Sequence, residues 1–276
     1  MSLAHDLQYA ADLARGAGKI ILDHYGKVER LTKTHAAATA EAVTDADRAS
    51  QRYIVAGLRK RYPDDGLVGE ESETGQSITF ECRDPRARNW VIDPIDGTNN
   101  FIAGLGTFAV CIALLDQGFP VLGIVYDVAR DVMYTAARGQ GAWCGSRRMA
   151  VPDSPLSESS MIMFTSNLLT RGRCPDWAHR FLAQEKWKLR ILGSAALEAS
   201  YVAAGVAHAA VTVNGKLWDV AAAAALVLDA GGVITDFAGG EIFPFDLSDY
   251  AGAKVPFLAA APQAQRTLLD LIAAHP

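Results

Sequence analysis

The sequence lacks the features that define several large classes of protein. Its four cysteines, Cys82, Cys111, Cys144 and Cys174, stand far apart and form no Cys-x-x-Cys pair. That spacing argues against a disulfide framework and against a zinc site, and points to reduced, partly buried thiols. There is no basic surplus: 26 Lys and Arg face 31 Asp and Glu, a net charge of −5, and neither sign is gathered in one segment. A nucleic-acid binder held by a basic face is therefore not expected. An acidic protein that handles anions needs local cations, and metals are the usual source. No apolar run reaches membrane-spanning length, the Ala-rich stretch Val220–Leu228 being too short, so no membrane association is expected. Met1–Asp6 has no basic character, and the amphipathic stretch after it is broken by Asp12, Arg15 and Lys19. That is not a signal peptide, and a cytoplasmic protein is the expectation. None of the six histidines sits in a catalytic pattern; His208, between Ala207 and Ala209, reads as a core or strand-edge residue.

What is present is an ordinary globular composition, 50% hydrophobic and 21% charged over 276 residues, enough for one large domain or two packed halves. Leu3, Leu7, Ala11, Ala14, Ala17 and Ile21 recur at helical spacing, with Gly26 as a stop. A polar Thr32–Thr44 stretch reads as a loop or hairpin. Thr44 or Asp45 then caps a second helix that runs to Arg61 and is closed by Tyr62-Pro63. Strands are expected at Gly66–Glu70, Asn89–Asp93, Phe108–Leu115, Phe119–Tyr126, Val132–Ala137 and Ala142–Val151, with Asp116-Gln117-Gly118 as a hairpin turn. Beyond Pro152 the rhythm becomes alternating. Strands are expected at Met161–Thr165, Lys188–Leu192, Ala209–Val213, Val233–Asp236 and Pro256–Ala260, and helices at Ser194–Ala204, Trp218–Ala230 and Pro262–Ala274. The expected organisation is α+β over residues 1–152 and α/β over residues 153–276.

Five acidic residues stand out by placement. Glu70 and Glu71 follow the apolar Leu67-Val68-Gly69, Asp93 and Asp96 follow Trp90-Val91-Ile92, and Asp219 follows Leu217-Trp218 at the start of a helix. Carboxylates at strand ends and helix N-termini face clefts where ligands bind. A Glu-Glu pair alone is usually a solvated face. Asp93-Pro94-Ile95-Asp96-Gly97-Thr98 is more specific. Proline fixes the turn, two carboxylates converge and the Ile95 carbonyl is presented as a further oxygen, a set suited to magnesium. Gly97 permits a positive φ, and the N–H groups of Gly97 and Thr98, if they open a short helix, hold a phosphate oxygen.

These residues carry a resemblance. Val43-Thr44-Asp45-Ala46-Asp47, Gly69-Glu70-Glu71-Ser72, the run from Trp90 to Phe101, Gly193-Ser194-Ala195-Ala196 and Trp218-Asp219-Val220-Ala221-Ala222 together resemble the inositol monophosphatase family of magnesium-dependent, lithium-sensitive phosphatases. The resemblance implies a layered αβαβα sandwich of the sugar-phosphatase type, a homodimer, and hydrolysis of a small phosphorylated metabolite. By position it implies that Glu70, Asp93 and the Ile95 carbonyl hold one Mg2+, and that Asp93, Asp96 and Asp219 hold a second. Glu70 would help place a third ion, and Mn2+ would substitute. Asp47 and Thr98 would orient and deprotonate the attacking water, and Glu71 would support them. Gly97, Thr98, Arg190, Ser194, Thr212 and Lys216 form the substrate-facing set. Inositol-specific members carry a glutamate six or seven residues before the aspartate that Asp219 matches; here Val211–Lys216 holds no acid, Thr212 has a shorter reach and no charge, and Lys216 would meet a second anionic group. Candidate substrates are inositol monophosphates, histidinol phosphate, fructose 1,6-bisphosphate and a 3′-phosphorylated nucleotide. A regulatory protein that keeps the fold is the rival from another class.

Overall fold

The computed structural model describes residues 2–25, 45–71, 79–82, 84–164, 174–183 and 186–275. Gly26, Thr32–Thr44, Ser72 and Thr165 lie outside the described residues. The chain forms α1 (Leu3–His24) and α2 (Asp45–Arg61), then β1 (Gly66–Gly69), β2 (Thr79–Glu81), β3 (Asn89–Asp96) and α3 (Thr98–Ala103). β4 (Ala109–Asp116), β5 (Phe119–Asp127), β6 (Val132–Ala137), β7 (Ala142–Cys144) and β8 (Arg147–Arg148) follow. The rest of the chain is β9 (Met161–Phe164), α4 (Asp176–Ala183), β10 (Lys188–Arg190), α5 (Ala195–Ala203), β11 (Ala209–Thr212), α6 (Leu217–Asp229), β12 (Val233–Thr235), β13 (Phe257–Ala260) and α7 (Pro262–Ala274).

Two sheets organise these elements. The first runs β2-β1-β3-β4-β5-β6-β7-β8, antiparallel except for the parallel β1–β3 pair. The second runs β10-β9-β11-β13-β12, with β9, β10 and β11 parallel and β13 antiparallel to its neighbours. Strand periodicity sorts the core into layers. In β4, Val110, Ile112 and Leu114 pack with α1 and α2, whereas Cys111, Ala113 and Leu115 pack with α5 and α6. In the second sheet, Met163, Ala210 and Ala259 face α5 and α6, and Ile162, Val211 and Leu258 face α4 and α7. The stack is α1α2, sheet, α5α6, sheet, α4α7, the expected αβαβα sandwich.

The middle layer sits close to the first sheet because the residues between them are small. Ala221–Ala225 of α6 are all buried, and a Cβ added at Gly123 of β5 would lie 2.3 Å from the Ala222 carbonyl oxygen and 2.7 Å from the Ala225 Cβ. Helix backbone rests on sheet backbone at that point.

Local departures from the expected elements have local causes. The Ala142–Val151 strand is instead a short hairpin, β7 and β8, turned at Gly145 with φ +57°. The β4–β5 turn is the two residues Gln117 and Gly118, both at positive φ (54° and 76°), which matches the twist of the flanking strands. β3 continues past Pro94 to Asp96 by a register shift between Asp93 and Asp96, so the proline falls where no ladder N–H is needed.

Candidate metal and phosphate site

The carboxyl ends of β1 and β3 and the N-termini of α2 and α6 carry the expected acidic residues. One oxygen from each of Asp93, Asp96 and Asp219 lies within 4.8 Å of the others. Asp93 and Asp96 are buried, and Asp219 is half-buried. Each is held by the chain. Asp93 Oδ1 accepts the Ile95 N–H at 2.9 Å. The Asp96 carboxylate sits on the N-terminus of α5, accepting from the Ser194 hydroxyl, from Ala195 N at 3.3 Å and from Ala196 N at 3.0 Å. Asp219 closes the first turn of α6 by accepting Lys216 N at 2.6 Å, and Tyr250 Oη takes the neighbouring Leu217 N–H at 2.9 Å.

The electrostatics of this cluster call for a cation. Burial, then Glu70, Asp96 and Asp219, raise Asp93 well above the ordinary carboxylate range. Burial and Asp219 push Asp96 up to about 7, against the lowering effect of Ser194 and the two amides. Like charges this close stay together only by sharing protons or by binding a positive ion between them. An all-oxygen set suits hard divalent ions such as magnesium or manganese better than zinc or copper. The residues fit a divalent metal site.

The remaining expected residues surround the cluster. Glu70 follows β1 and ranks first among the charges acting on Asp93. Glu71 is fixed through its backbone: its N–H donates to Gln51 Oε1 at 2.9 Å, and its carbonyl accepts the Gln51 amide and the Thr79 hydroxyl. Asp47 is buried in the first turn of α2. Gly97 adopts φ +90° as the N-cap of α3, and the Thr98 hydroxyl donates to the Ile95 carbonyl at 2.9 Å. Ile95 buries its side chain completely, leaving only that carbonyl for the site.

The substrate-facing set is less uniform. Ser194 commits its hydroxyl to Asp96, which makes it a support for the carboxylate. Arg190 is exposed at the end of β10 and donates to the Leu189 carbonyl at 2.8 Å. Thr212 is buried at the end of β11. Lys216 Nζ lies 5.0 Å from the centroid of the Trp218 ring, next to Asp219. Cys111, paired with Asp93 across β3 and β4, is buried, and burial followed by the nearby carboxylates keeps its thiol protonated. It is no nucleophile.

The sequence profile of the inositol monophosphatase family matches residues 3–275. The chain belongs to the inositol monophosphatase family. It is 35% identical over 245 residues to the fructose-1,6-bisphosphatase/inositol-1-monophosphatase of Thermotoga maritima, covering 87% of this chain and 88% of that one. It is 34% identical over 269 residues to Nus factor SuhB of Pasteurella multocida, covering 96% and 95%. A solved IMPase structure from Thermotoga maritima superposes with TM-score 0.82 at 30% identity, covering 98% of this chain and 97% of that one. Family membership accords with a phosphatase site in which magnesium is the expected ion.

The supporting residues Gln51, Glu198 and Tyr250 escape a motif-based reading, and Asn100 lies within the Trp90–Phe101 run without its role being legible there. Only Glu198 carries a signal, a lone charge in the otherwise apolar Ala195–Ala203 helix.

Gly97, at the start of α3, has no room for a side chain. A Cβ there would lie 2.9 Å from the Thr107 carbonyl oxygen and 3.3 Å from that of Gly193, in a left-handed conformation. Gly97→Ala is expected to cost at least about 1–2 kcal/mol of stability from conformation alone. Its urea midpoint should drop at unchanged m, and an unchanged midpoint would contradict this account.

Proposed function

We propose that the protein hydrolyses a small phosphate monoester, using two to three Mg2+ ions held by Glu70, Asp93, the Ile95 carbonyl, Asp96 and Asp219, with Mn2+ able to substitute. The observation that carries this reading is the cluster of Asp93, Asp96 and Asp219 oxygens within 4.8 Å in a chain of this family. When bound, divalent ions neutralise phosphate charge, acidify water and stabilise a leaving alkoxide. The protein's own residues do the rest. Thr98 spends its hydroxyl proton on Ile95 and so turns lone pairs toward a water, which it orients with Asp47. Asp47 takes the proton of that water, and Glu71, pinned by Gln51, supports it. The N–H groups of Gly97 and Thr98 receive a phosphate oxygen. Residues 1–152 contribute Glu70, Asp93 and Asp96, and residues 153–276 contribute Asp219, so the reaction takes place where the two halves meet. By resemblance, the working form is a lithium-sensitive cytoplasmic homodimer.

At the leaving-group end, Thr212 is buried and uncharged and brings no carboxylate for sugar hydroxyls. Lys216 brings a cation, its ammonium over the ring of Trp218, the residue before Asp219. We therefore favour a substrate with a second anionic group over inositol 1-phosphate; the name of the Thermotoga relative carries both substrates, so both belong in the test. Phosphate release should be measured on inositol 1-phosphate, fructose 1,6-bisphosphate, histidinol phosphate and a 3′-nucleotide, with magnesium and with excess chelator. Turnover should require magnesium, and full turnover in chelator would overturn the metal reading. If no ester is hydrolysed, the regulatory reading suggested by the Nus factor name is favoured. Lys216→Ala should lower kcat/KM for the bisphosphate about tenfold relative to a singly anionic ester, the scale of one lost charged hydrogen bond. An unchanged ratio would remove Lys216 from the substrate set.

A further inference from the structure

We propose that Asn100 and Glu198 are positioning residues that clamp the turn from Leu192 to Ala196 and thereby aim the Asp96 carboxylate at its divalent ion. The proposal rests on the reading of Asp96 as a metal ligand. Asp96 is oriented by three consecutive residues: the hydroxyl of Ser194 and the N–H groups of Ala195 and Ala196. All three follow directly on Leu192-Gly193, and both polar backbone groups of Leu192 are taken by side chains. Its carbonyl accepts from Asn100 Nδ2 at 2.7 Å, and its N–H donates to Glu198 Oε1 at 2.8 Å. Gly193 N–H donates to the same Glu198 oxygen at 3.1 Å. Asn100 also donates to the Thr107 carbonyl at 2.8 Å, so one amide ties the loop after α3 to the turn entering α5. Gly193 has φ +77°, and a Cβ there would lie 3.1 Å from Asn100 Nδ2. The amide and the turn are packed against each other.

Glu198 is 1% exposed, an expensive place for a carboxyl group unless its bonds are needed. Burial raises it to about 8, against the lowering effect of the two amides, so near neutrality it acts mainly as a neutral acceptor of two N–H bonds. Glutamine offers the same acceptor in the same shape. The clamp therefore predicts rescue by Glu198→Gln.

The test has a metal-free arm and a metal arm. In metal-free protein, Glu198→Ala and Asn100→Ala should each speed hydrogen exchange at the Ala195 and Ala196 amides about tenfold or more, with α6 amides unchanged. In magnesium titrations followed by melting temperature, both variants should need about tenfold more Mg2+ for half of the full shift, the scale of losing an outer partner of a metal ligand. Glu198→Gln should restore both readouts. A purely structural role would lower the melting temperature while leaving the Ala195 and Ala196 amides and the magnesium midpoint as in the parent, and that result overturns the proposal. If Glu198→Ala fails to fold, Asn100→Ala releases the same turn from its other side and decides the matter. If the unmodified protein shows no magnesium shift, the metal reading fails by itself, and the exchange arm still decides whether the clamp orders Asp96.

Discussion

Asp93→Asn is expected to remove nearly all magnesium-dependent phosphate release while making the metal-free protein more stable. The two effects have one cause. Asp93 is buried and faces Glu70, Asp96 and Asp219, and that environment raises it well above the ordinary carboxylate range. Without metal, the fold must either bury that charge or bind a proton to neutralise it, and an amide of the same shape removes that cost. Oδ1 can still accept the Ile95 N–H, so the turn is preserved. In the proposed metal-bound site the same charge would be shared between ions, and its loss should cost more than the roughly 10–100-fold seen when an outer partner of a metal site is removed. Paired melts in chelator and in magnesium, with kcat/KM on the best ester, check both halves. A variant that loses activity and is also less stable in chelator would show that Asp93 is mainly a structural group.

Raising the pH should destabilise the metal-free protein and enlarge the stabilisation that magnesium gives. Asp96 moves from 3.8 in the unfolded chain to about 7 when folded, and Glu198 from 4.5 to about 8. Both shifts are upward, so between the unfolded and folded values the folded protein holds more protons than the unfolded chain. Stability is then greatest below about pH 4 for these two groups and is lost as pH rises through about 7 to 8. The melting temperature in chelator should fall steadily from pH 5 to pH 8. Magnesium competes with protons for Asp93 and Asp96, so its shift should be small at pH 5 and large at pH 8. A melting temperature in chelator that stays level or rises over that range would contradict the assignment of these carboxyls as a proton-loaded cluster.

The site was legible where its chemistry is local in sequence. Asp93-Pro94-Ile95-Asp96-Gly97-Thr98 packs two carboxylates, a turn and a helix start into six residues, and Asp219 is marked by its place in the first turn of an apolar helix. The change of rhythm near Pro152 pointed to an α+β first half and an α/β second half, and the layered sandwich was implied by the family resemblance. What escaped is non-local or short. Ser194 reaches Asp96 across 98 positions, and Asn100 reaches Leu192 across 92, distances over which periodicity carries no information. β2 is three partly exposed residues at a sheet edge, and α4 is eight residues held by Trp177 and Phe181 one turn apart. Neither is long enough to show a repeat. Thr212 reads as a rim residue by position, yet it is buried, because a strand end can be covered by elements that a pattern does not display.

The contact between Gly123 and the Ala222 carbonyl also bears on which ion the protein accepts. Carboxylates on pliant loops follow whatever cation enters. Here Asp219 rides on a helix whose backbone rests on the sheet at Gly123, and the β3 carboxylates belong to that same sheet, so both groups of carboxylates share one close-packed support. Oxygen distances to magnesium and calcium differ by only about 0.3–0.5 Å. Discrimination on that scale needs a gauge that does not give, and the close seat of α6 on β5 through glycine and alanine would supply one. Enlarging Gly123 should accordingly appear first as a loss of preference for magnesium over calcium, before any change in which ester is hydrolysed.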